Sequence, residues 1–196
     1  EGFVEPKALI GKLSSMLKSK AILCADVGQN QIWCANNFRI REGRFLTTGG
    51  MGTMGYSVPA AIGAKIAAPE RTVCLFCGDG GFQMTMQELG TIMQENLGIK
   101  MIIMNNNFLG MVRQWQELFY NQRYSSTPLV NPDFTTIASA YGIKSRLVNQ
   151  REELDGAINE MLSDDKSFLL IVNVDMKELI YPMIPAGGSV TNILIN

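Results

Sequence analysis

The amino-acid sequence predicts an α/β fold in which a mostly parallel sheet carries helices on both faces. Two observations lead to this prediction. Short apolar runs with the length of strands alternate along the chain with segments of helical periodicity. The central runs are apolar at every position rather than at every second one, which is expected of strands whose two faces are both covered by helices.

The first elements follow from these patterns. A helix is predicted at residues 6–18, where Pro6 stands near the start and apolar residues recur on one side, at Leu9, Ile10, Leu13, Met16 and Leu17. The apolar run at 21–28 predicts a buried strand that ends in a loop, and a short helix follows at 30–38. Residues 44–55 predict a strand that enters a glycine-rich turn.

The middle of the chain continues the alternation. Small residues predict a helix at 57–68, which ends before Pro69. A strand is predicted at 72–80, a helix at 82–96 and a strand at 100–107. The helix predicted at 109–119 has one apolar side, formed by Met111, Trp115, Leu118 and Phe119.

The last elements are a helix at 133–142 with Asp133 as its N-cap, a strand at 145–149, a helix at 151–163 and a strand at 167–175. Residues near the end show no clear period. We therefore expect one domain over 1–176, followed by an irregular tail over 177–196.

Composition narrows the classes of function. Of the 196 residues, 46% are hydrophobic and 18% are charged, and the formal net charge is −1, so nothing favours a nucleic acid or an anionic membrane as partner. No apolar run approaches the roughly 20 residues of a membrane span. The absence of histidine excludes a histidine-containing catalytic triad and histidine-ligated zinc within this chain. The first residue is Glu1 rather than Met, which suggests a fragment or a processed product.

The four cysteines are interpreted as buried thiols. Cys74 and Cys77 form a C-x-x-C sequence, which in other contexts indicates a metal or redox site. Here both lie in a predicted strand, where residues three apart point to opposite faces. Reduced thiols suit a cytoplasmic location, and that is the compartment we expect.

Unusual residues follow three of the predicted strands, at 26–30, 78–81 and 105–107. In open parallel sheets, ligands bind outside the carboxyl ends of the strands. These three segments are therefore the first place to look for a functional site.

A glycine pattern offers one alternative. Gly50, Gly52 and Gly55 form G-x-G-x-x-G between a strand and a helix, as in nicotinamide-binding proteins. The acidic residue expected about twenty positions later is not well placed, because Glu70 comes before the next strand rather than at its end. We interpret the glycines as a tight turn where backbone passes close to another group.

A metal and phosphate site is the stronger prediction. Asp79 ends one strand and Asn106 ends a later one, with one helix between them, so adjacent parallel strands bring both side chains to one edge of the sheet. A carboxylate and an amide oxygen are hard ligands that suit Mg²⁺. Gly80 and Gly81 open the following helix, where backbone N–H groups can approach a phosphate.

At this point the sequence shows a family resemblance. GDG followed by about thirty residues and ending in NN resembles the metal and diphosphate motif of thiamine-diphosphate enzymes. The segments DVGQNQIWCANNF, TTGGMGTMGYSVPAAIGAK, GDGGFQMTMQEL and NNNFLGMVRQWQELFYNQRYS are together similar to the catalytic large subunit of acetolactate synthase, in its C-terminal, diphosphate-binding domain. The similarity extends over essentially the whole chain.

The resemblance implies a role for each matching residue. Asp79 and Asn106 would bind Mg²⁺ through their side chains, and Phe108 would bind it through its backbone carbonyl. Residues that would surround the cofactor are Gly28, Gln29, Asn30, Gly52, Met54, Gly78, Gly80, Gly81, Leu109, Gly110 and Met111.

Three of the matching side chains would act on the reaction itself. Met54 would hold the cofactor in its bent conformation, and Met111 and Trp115 would face the substrate. From spacing alone, ordinary helix core is the preferred explanation of Met111 and Trp115, and the match to the family's GMVxQWQ pattern is what favours the substrate site. Some positions depart from common family patterns: Asn30 stands where many members have histidine, Gly81 where serine is frequent, and Phe108-Leu109 where other members have an acidic residue and glutamine.

The implied activity is decarboxylation of pyruvate and carboligation to a second 2-ketoacid, in branched-chain amino-acid biosynthesis. The family's activating glutamate and flavin-binding domain are not in this chain, so we expect the chain alone to be inactive, with FAD bound mainly outside it. The complete subunit would form a homodimer or larger oligomer, with a possible regulatory small subunit. Alternatives are another thiamine-diphosphate-dependent oxidase or decarboxylase of 2-ketoacids, a non-catalytic cofactor-binding module, and a nicotinamide oxidoreductase.

Overall fold

The computed structural model describes residues 2–17 and 20–195. The strands are β1 (Ile22–Ala25), β2 (Arg44–Leu46), β3 (Val73–Gly78), β4 (Ile99–Asn105), β5 (Lys144–Val148) and β6 (Phe168–Asn173). The helices are α1 (Pro6–Met16), α2 (Gln29–Asn37), α3 (Ser57–Ala67), α4 (Asp79–Thr85), α5 (Leu89–Gln94), α6 (Gly110–Phe119), α7 (Phe134–Ala140) and α8 (Leu154–Met161). Single 3₁₀ turns lie at Met86–Glu88, Arg151–Glu153 and Val190–Asn192.

These strands form one six-stranded sheet within the described residues, in the order β2-β1-β3-β4-β6-β5, and every neighbouring pair is parallel. Its two faces carry separate apolar cores. Phe76 and Met104 pack with α1, α2 and α8, while Leu75 and Ile103 pack with α3, α4, α5 and α7. The predicted fold class is confirmed, because the fully apolar strands are buried by helices on both sides.

The strand order places a topological switch point between β1 and β3. From β1 the chain runs through α2 to β2 on one side, and then through α3 to β3 on the other side of β1. The connections that leave the carboxyl ends of β1 and β3 therefore diverge, and a crevice opens between them.

The helix predicted over 82–96 differs from the structure. It begins earlier, at Asp79, and divides into α4 and α5 around the 3₁₀ turn at Met86–Glu88. Thr85 leaves helical geometry at φ −138° and ψ 18°, and its hydroxyl donates to the carbonyl of Gly55 at 3.1 Å. Helices this short are marginal alone, so burial of Phe82 and Leu89 holds them in place.

The cysteines occupy the positions expected of structural thiols. Cys74 lies in the core on one face of the sheet and Cys77 in the core on the other, and both are free thiols. Cys24 and Cys34 are also free and buried. Burial raises the pKa of the Cys24 thiol to about 12, so it stays protonated at neutral pH.

The two ends of the described chain add little regular structure. The predicted last residue of the first helix, Lys18, lies outside the described residues, and α1 ends at Met16. Residues 177–195 are irregular apart from one 3₁₀ turn and an isolated bridge between Met183 and Leu194. Among the described residues, none of the helices has the length and apolar character that crossing a membrane requires.

Helix α7 begins with the predicted cap. The Asp133 carboxylate accepts hydrogen bonds from the hydroxyls of Thr135 and Thr136 and from the backbone N–H groups of the same two residues. The hydroxyl bonds first, and the backbone bonds after them, lower the pKa of Asp133 from 3.8 to about 2. Since the folded-state pKa is depressed, the cap contributes stability above about pH 4, and we expect that contribution to be lost as the pH falls towards 2. Thermal unfolding of Asp133→Ala and of the unmutated chain from pH 7 to pH 2 measures this, and a difference in Tm that stays constant over the range would contradict it.

Candidate functional site

The carboxyl ends of β1, β3 and β4 surround a cavity of about 280 Å³. Most of the sequence-predicted site residues line it: Gly28, Gln29, Asn30, Gly52, Met54, Gly78, Asp79, Gly80, Gly81, Asn106, Phe108, Leu109, Gly110 and Met111. These residues come from four separate segments of the chain. Sequence analysis predicted a site at the carboxyl ends of the strands, and these residues meet there, at the switch point.

The segment after β1 supplies two buried amide side chains. Gly28 has φ +142°, a conformation that favours glycine, and a Cβ there would lie 2.8 Å from Oδ1 of Asn30. The Asn30 amide donates to the carbonyls of Asp26 and Phe76, so it joins β1 to β3 below the cavity. Helix α2 begins here, and none of its side chains caps its N-terminus.

The glycine-rich turn is held by Asp26, which is fully buried. Its carboxylate accepts hydrogen bonds from the backbone N–H groups of Gly55 and Ser57, both at 2.9 Å. The N–H of the first residue of α3 and the N–H of Gly55 in the turn are therefore already engaged by the protein and are not free for a dinucleotide phosphate. This supports the interpretation of the glycines as a tight turn, which carries Met54 to the cavity.

Asp26 also explains a departure from the family pattern. A Cβ on Gly81 would lie 2.7 Å from Oδ1 of Asp26, closer than non-bonded atoms approach. A side chain at residue 81 would therefore require the Asp26 carboxylate or the backbone to shift.

Asp79 is the first residue of α4 and is almost completely buried. Its Oδ2 accepts hydrogen bonds from the backbone N–H of Asn107 at 2.8 Å and from the side chain of Asn131 at 2.6 Å. Its Oδ1 accepts from the N–H of Gly80 at 3.0 Å. Two donors thus use both lone pairs of Oδ2. Oδ1 accepts one hydrogen bond and keeps one lone pair for another ligand.

The electrostatics of Asp79 are unusual for a carboxylate. Burial raises its pKa above the usual range, although the hydrogen bonds from Asn131, Gly80 and Asn107 oppose the shift. Among the residues that the structure describes, no lysine or arginine pairs with it. A raised folded-state pKa means that the charged form at neutral pH costs folding free energy, and a bound cation would relieve that cost.

The three asparagines after β4 have different roles. Asn105 donates to Asn173 on β6, and Asn107, at φ +58°, turns the chain and donates its N–H to Asp79. Asn106 lines the cavity, and its Oδ1 accepts from the N–H of Phe108 at 3.1 Å. Because β3 and β4 are parallel neighbours, Asp79 and Asn106 lie at the same edge of the sheet, as predicted.

Asn131 is a site residue that sequence analysis missed. It lies after a short antiparallel bridge between Phe108 and Pro128. Its side-chain amide lies within 3.0 Å of oxygens of Asp79, Asn105 and Asn107, while its own oxygen accepts from Gln83. No local pattern indicated this role, because it depends on how the loop folds back.

Helix α6 contributes Met111 to the cavity, but Trp115 lies elsewhere. Trp115 lines a second cavity with Gln116, Tyr120 and Arg123, and Val112 borders both cavities.

The prediction that the apolar side of α6 forms helix core holds only for Met111, which packs against the core on one face of the sheet. The buried residues of α6 are Arg113 and Gln114, while Met111 and Trp115 are half-buried and Phe119 is exposed. Arg113 forms an ion pair with Glu117. The face that spacing alone marked as core is therefore the more exposed one.

The cavity has further walls that the sequence did not indicate. They are the apolar residues Val27, Trp33, Met104, Val112 and Val174. Their types are those of any buried strand or helix, so only the three-dimensional arrangement distinguishes them.

The residues present fit a divalent cation with a diphosphate. Asp79 offers its Oδ1, which accepts one hydrogen bond and keeps a lone pair, Asn106 offers an amide oxygen, and both are hard ligands. Helices α2 and α6 both begin at the cavity without a side-chain cap, so their free N–H groups and dipoles favour an anion. Within the described residues, no cluster of three or more carboxylates or thiols could hold a metal on its own, so such a cation would depend on amide, carbonyl and phosphate oxygens.

The fold and the site together define a doubly wound domain that binds an anionic cofactor at its switch point. Residues 26–172 match the family model described as "Thiamine pyrophosphate enzyme, C-terminal TPP binding domain". The chain belongs to this family.

Individual relatives show which members of this family the chain resembles. The chain is 42% identical over 188 residues to the acetolactate synthase isozyme 2 large subunit of Escherichia coli (strain K12), which covers 95% of this chain and 34% of that protein. It is 44% identical over 197 residues to the mitochondrial acetolactate synthase catalytic subunit of Saccharomyces cerevisiae (strain ATCC 204508 / S288c), over 98% of this chain and 28% of that protein. The predicted resemblance is confirmed, and the chain spans about a third of the length of these relatives.

Proposed function

We propose that this chain is the cofactor-binding part of an acetolactate synthase catalytic subunit. The complete subunit would decarboxylate pyruvate and join the product to a second 2-ketoacid, in branched-chain amino-acid biosynthesis. The similarity to acetolactate synthase subunits over nearly the whole chain supports this reaction. The "RQWQELFYNQRYS" segment supports a synthase over an oxidase or a decarboxylase of the same cofactor class.

In this proposal the cavity binds thiamine diphosphate together with Mg²⁺. Asp79 and Asn106 hold the cation through side-chain oxygens, and Phe108 holds it through its backbone carbonyl. The diphosphate lies against the N-terminal ends of α2 and α6, and Met54 supports the cofactor from the glycine-rich turn. When bound, the cofactor supplies the electron sink for loss of CO₂ from a 2-ketoacid.

The observation that carries the proposal is the convergence of Asp79, Asn106 and two uncapped helix starts on one cavity. Titration calorimetry with thiamine diphosphate tests it, once with MgCl₂ and once with EDTA. We expect binding that requires the cation. Absence of binding in the complete subunit would contradict the proposal, and tight NADH binding that survives Asp79→Ala would favour the nicotinamide alternative.

The chain alone is expected to be inactive. In the family resemblance, the glutamate that activates the cofactor and the flavin-binding domain lie outside this chain. An acetolactate assay with the isolated chain and with the complete subunit checks this, and robust turnover by the isolated chain would contradict it. Binding without turnover in the complete subunit would favour the non-catalytic module.

The reaction product distinguishes a synthase from a decarboxylase or an oxidase that uses the same cofactor. With pyruvate as substrate, the complete subunit should give acetolactate. Acetaldehyde or acetyl phosphate would instead indicate a decarboxylase or an oxidase.

The partners follow from the same proposal. We expect a homodimer or larger oligomer of the complete subunit, FAD bound mainly outside this chain, and a regulatory small subunit as a further partner. A cytoplasmic location stays a prediction, supported by the four buried, free thiols.

Asn131 provides a test beside the proposed ligands. Replacing Asn131 with alanine removes the 2.6 Å hydrogen bond to Oδ2 of Asp79, one of three hydrogen bonds that orient this carboxylate. Loss of such a partner typically weakens metal affinity about 10- to 100-fold. We expect the Kd for Mg²⁺, measured by calorimetry at saturating thiamine diphosphate, to rise about tenfold.

Asn37→Ala is the matched control. Asn37 is the last residue of α2, at the end of the helix away from the cavity, and its side chain donates one hydrogen bond to the carbonyl of Trp33 at 2.8 Å. This variant should keep the Mg²⁺ affinity of the unmutated chain. Equal affinities of the Asn131 and Asn37 variants would show that Asn131 does not position Asp79.

A further inference from the structure

The C-terminal segment is joined to the cavity through a fully buried glutamine. Oε1 of Gln114 accepts hydrogen bonds from the backbone N–H of Ile180 at 3.0 Å and from Nε2 of Gln29 at 2.9 Å. Its Nε2 donates to the carbonyl of Ile180 at 3.2 Å and to the sulfur of Met183 at 3.3 Å. Both lone pairs and both N–H groups of the amide are therefore used.

The backbone determines which way this amide points. A backbone N–H can only donate and a backbone C=O can only accept, so Ile180 requires the oxygen of Gln114 on one side and its nitrogen on the other. The orientation of Gln114 is thus fixed by the C-terminal segment.

Gln114 and the same segment then orient Gln29. Nε2 of Gln29 donates to Oε1 of Gln114 and to the carbonyl of Glu178, both at 2.9 Å. Since both partners are acceptors, the NH₂ group must face them. Oε1 of Gln29 is left to face Asn106, whose Nδ2 lies 3.5 Å away, at the outer limit of a hydrogen bond.

Gly110 shows how closely these groups meet. A Cβ on Gly110 would lie 2.2 Å from Oε1 of Gln29 and 2.9 Å from Nδ2 of Asn106. The two amides are packed against the start of α6, so neither can rotate freely. With Nδ2 of Asn106 towards Gln29, its Oδ1 accepts from the N–H of Phe108 at 3.1 Å and keeps one lone pair for a cation.

We propose that residues 178–183 and Gln114 form a positioning relay that, through Gln29, presents Oδ1 of Asn106 to the metal ion. Gln114 lines neither the main cavity nor the second one, so it acts through other residues. The inference rests on the proposed function and adds that the C-terminal segment sets the orientation of a metal ligand that it does not contact directly.

Gln114→Met tests the relay, because methionine keeps the length of the side chain and removes the amide. The matched control is Gln116→Met on the same helix. Gln116 makes an equivalent pair of bonds with the backbone of Ser125, away from the C-terminal segment. Calorimetry with MgCl₂ at saturating thiamine diphosphate should show a Kd about tenfold higher for Gln114→Met and unchanged for Gln116→Met.

A second readout requires no cofactor. In the ligand-free chain, NMR of the Asn106 side-chain amide should show shifted NH₂ resonances in Gln114→Met and unshifted ones in Gln116→Met. If the complete subunit fails to bind thiamine diphosphate, the proposed function fails, and the Asn106 resonances still decide the relay. Unshifted resonances in a folded Gln114→Met variant would overturn it, as would an unchanged Mg²⁺ affinity.

The unmutated chain supplies a test that does not depend on the folding of a variant. Coupling between two sites is reciprocal, so binding at the metal site must stabilise the docked C-terminal segment. Addition of Mg²⁺ with thiamine diphosphate should slow hydrogen exchange at the N–H of Ile180 about tenfold, and should leave the N–H of Ser125 unchanged. Equal slowing at both positions, or at neither, would overturn the relay.

Discussion

Replacing Asp79 with alanine is expected to abolish measurable binding of thiamine diphosphate with Mg²⁺. The side chain is the carboxylate at the centre of the cavity, and among the described residues no second carboxylate lines it. Loss of an outer partner alone typically costs 10- to 100-fold in metal affinity, so loss of a direct ligand should exceed about 100-fold. Calorimetry of the variant and of the unmutated chain, both with MgCl₂, measures the difference.

Asp79→Asn separates binding from folding. An asparagine can place its oxygen at the Oδ2 position, where Asn107 and Asn131 donate, but its NH₂ then replaces Oδ1 and the N–H of Gly80 loses that acceptor. Removal of the buried charge stabilises the ligand-free variant and loss of the Gly80 hydrogen bond destabilises it, so its Tm should stay close to that of the unmutated chain. Its Mg²⁺ affinity should nevertheless be lost, because an NH₂ group cannot bind a cation.

The control for this pair is Asp155→Ala, which removes one carboxylate from the exposed surface of α8. It makes the same change in net charge far from the cavity, so it should bind thiamine diphosphate with Mg²⁺ as tightly as the unmutated chain does. If Asp79→Asn bound Mg²⁺ with thiamine diphosphate normally, Asp79 would not be a metal ligand.

The central part of this site could be predicted from the sequence because parallel sheets constrain it. Apolar runs mark the strands, and the carboxyl ends of adjacent parallel strands must share an edge. Asp79 and Asn106 therefore had to be neighbours once β3 and β4 paired, whatever the details of the loops. The same reasoning separated Cys74 from Cys77 correctly, because side chains alternate along a strand.

What the sequence could not predict depends on segments without a period. The buried face of α6 is polar at Gln114 because an irregular C-terminal segment lies against it and supplies backbone partners, and at Arg113 because the guanidinium packs on the rings of Phe108 and Tyr124. A prediction from hydrophobic spacing places apolar residues in the core, so it favoured the side of α6 that carries Met111 and Trp115. Asn131 was missed for a related reason, since its partners depend on the antiparallel bridge between Phe108 and Pro128.

The second large effect concerns stability rather than binding. We expect Asp26→Ala to lower the free energy of unfolding substantially, because the fully buried carboxylate holds the backbone N–H groups of Gly55 and Ser57. Alanine leaves both donors without a protein acceptor, and each buried unsatisfied group costs about 1–3 kcal/mol. The sum, about 2–6 kcal/mol, corresponds to a decrease in Tm of roughly 10 °C for a chain of this size.

Thermal unfolding of Asp26→Ala, Asp26→Asn and Asp133→Ala tests this argument. Asparagine keeps one acceptor oxygen but sets its NH₂ against the other donor, so its Tm should fall between those of the alanine variant and the unmutated chain. Asp133 accepts the same kind of backbone hydrogen bonds at an exposed cap, where water can replace the carboxylate, so its loss should cost much less. The difference between Asp26 and Asp133 is therefore a difference in access to water. Equal decreases in Tm for the two alanine variants would mean that the turn carrying Met54 does not depend on Asp26.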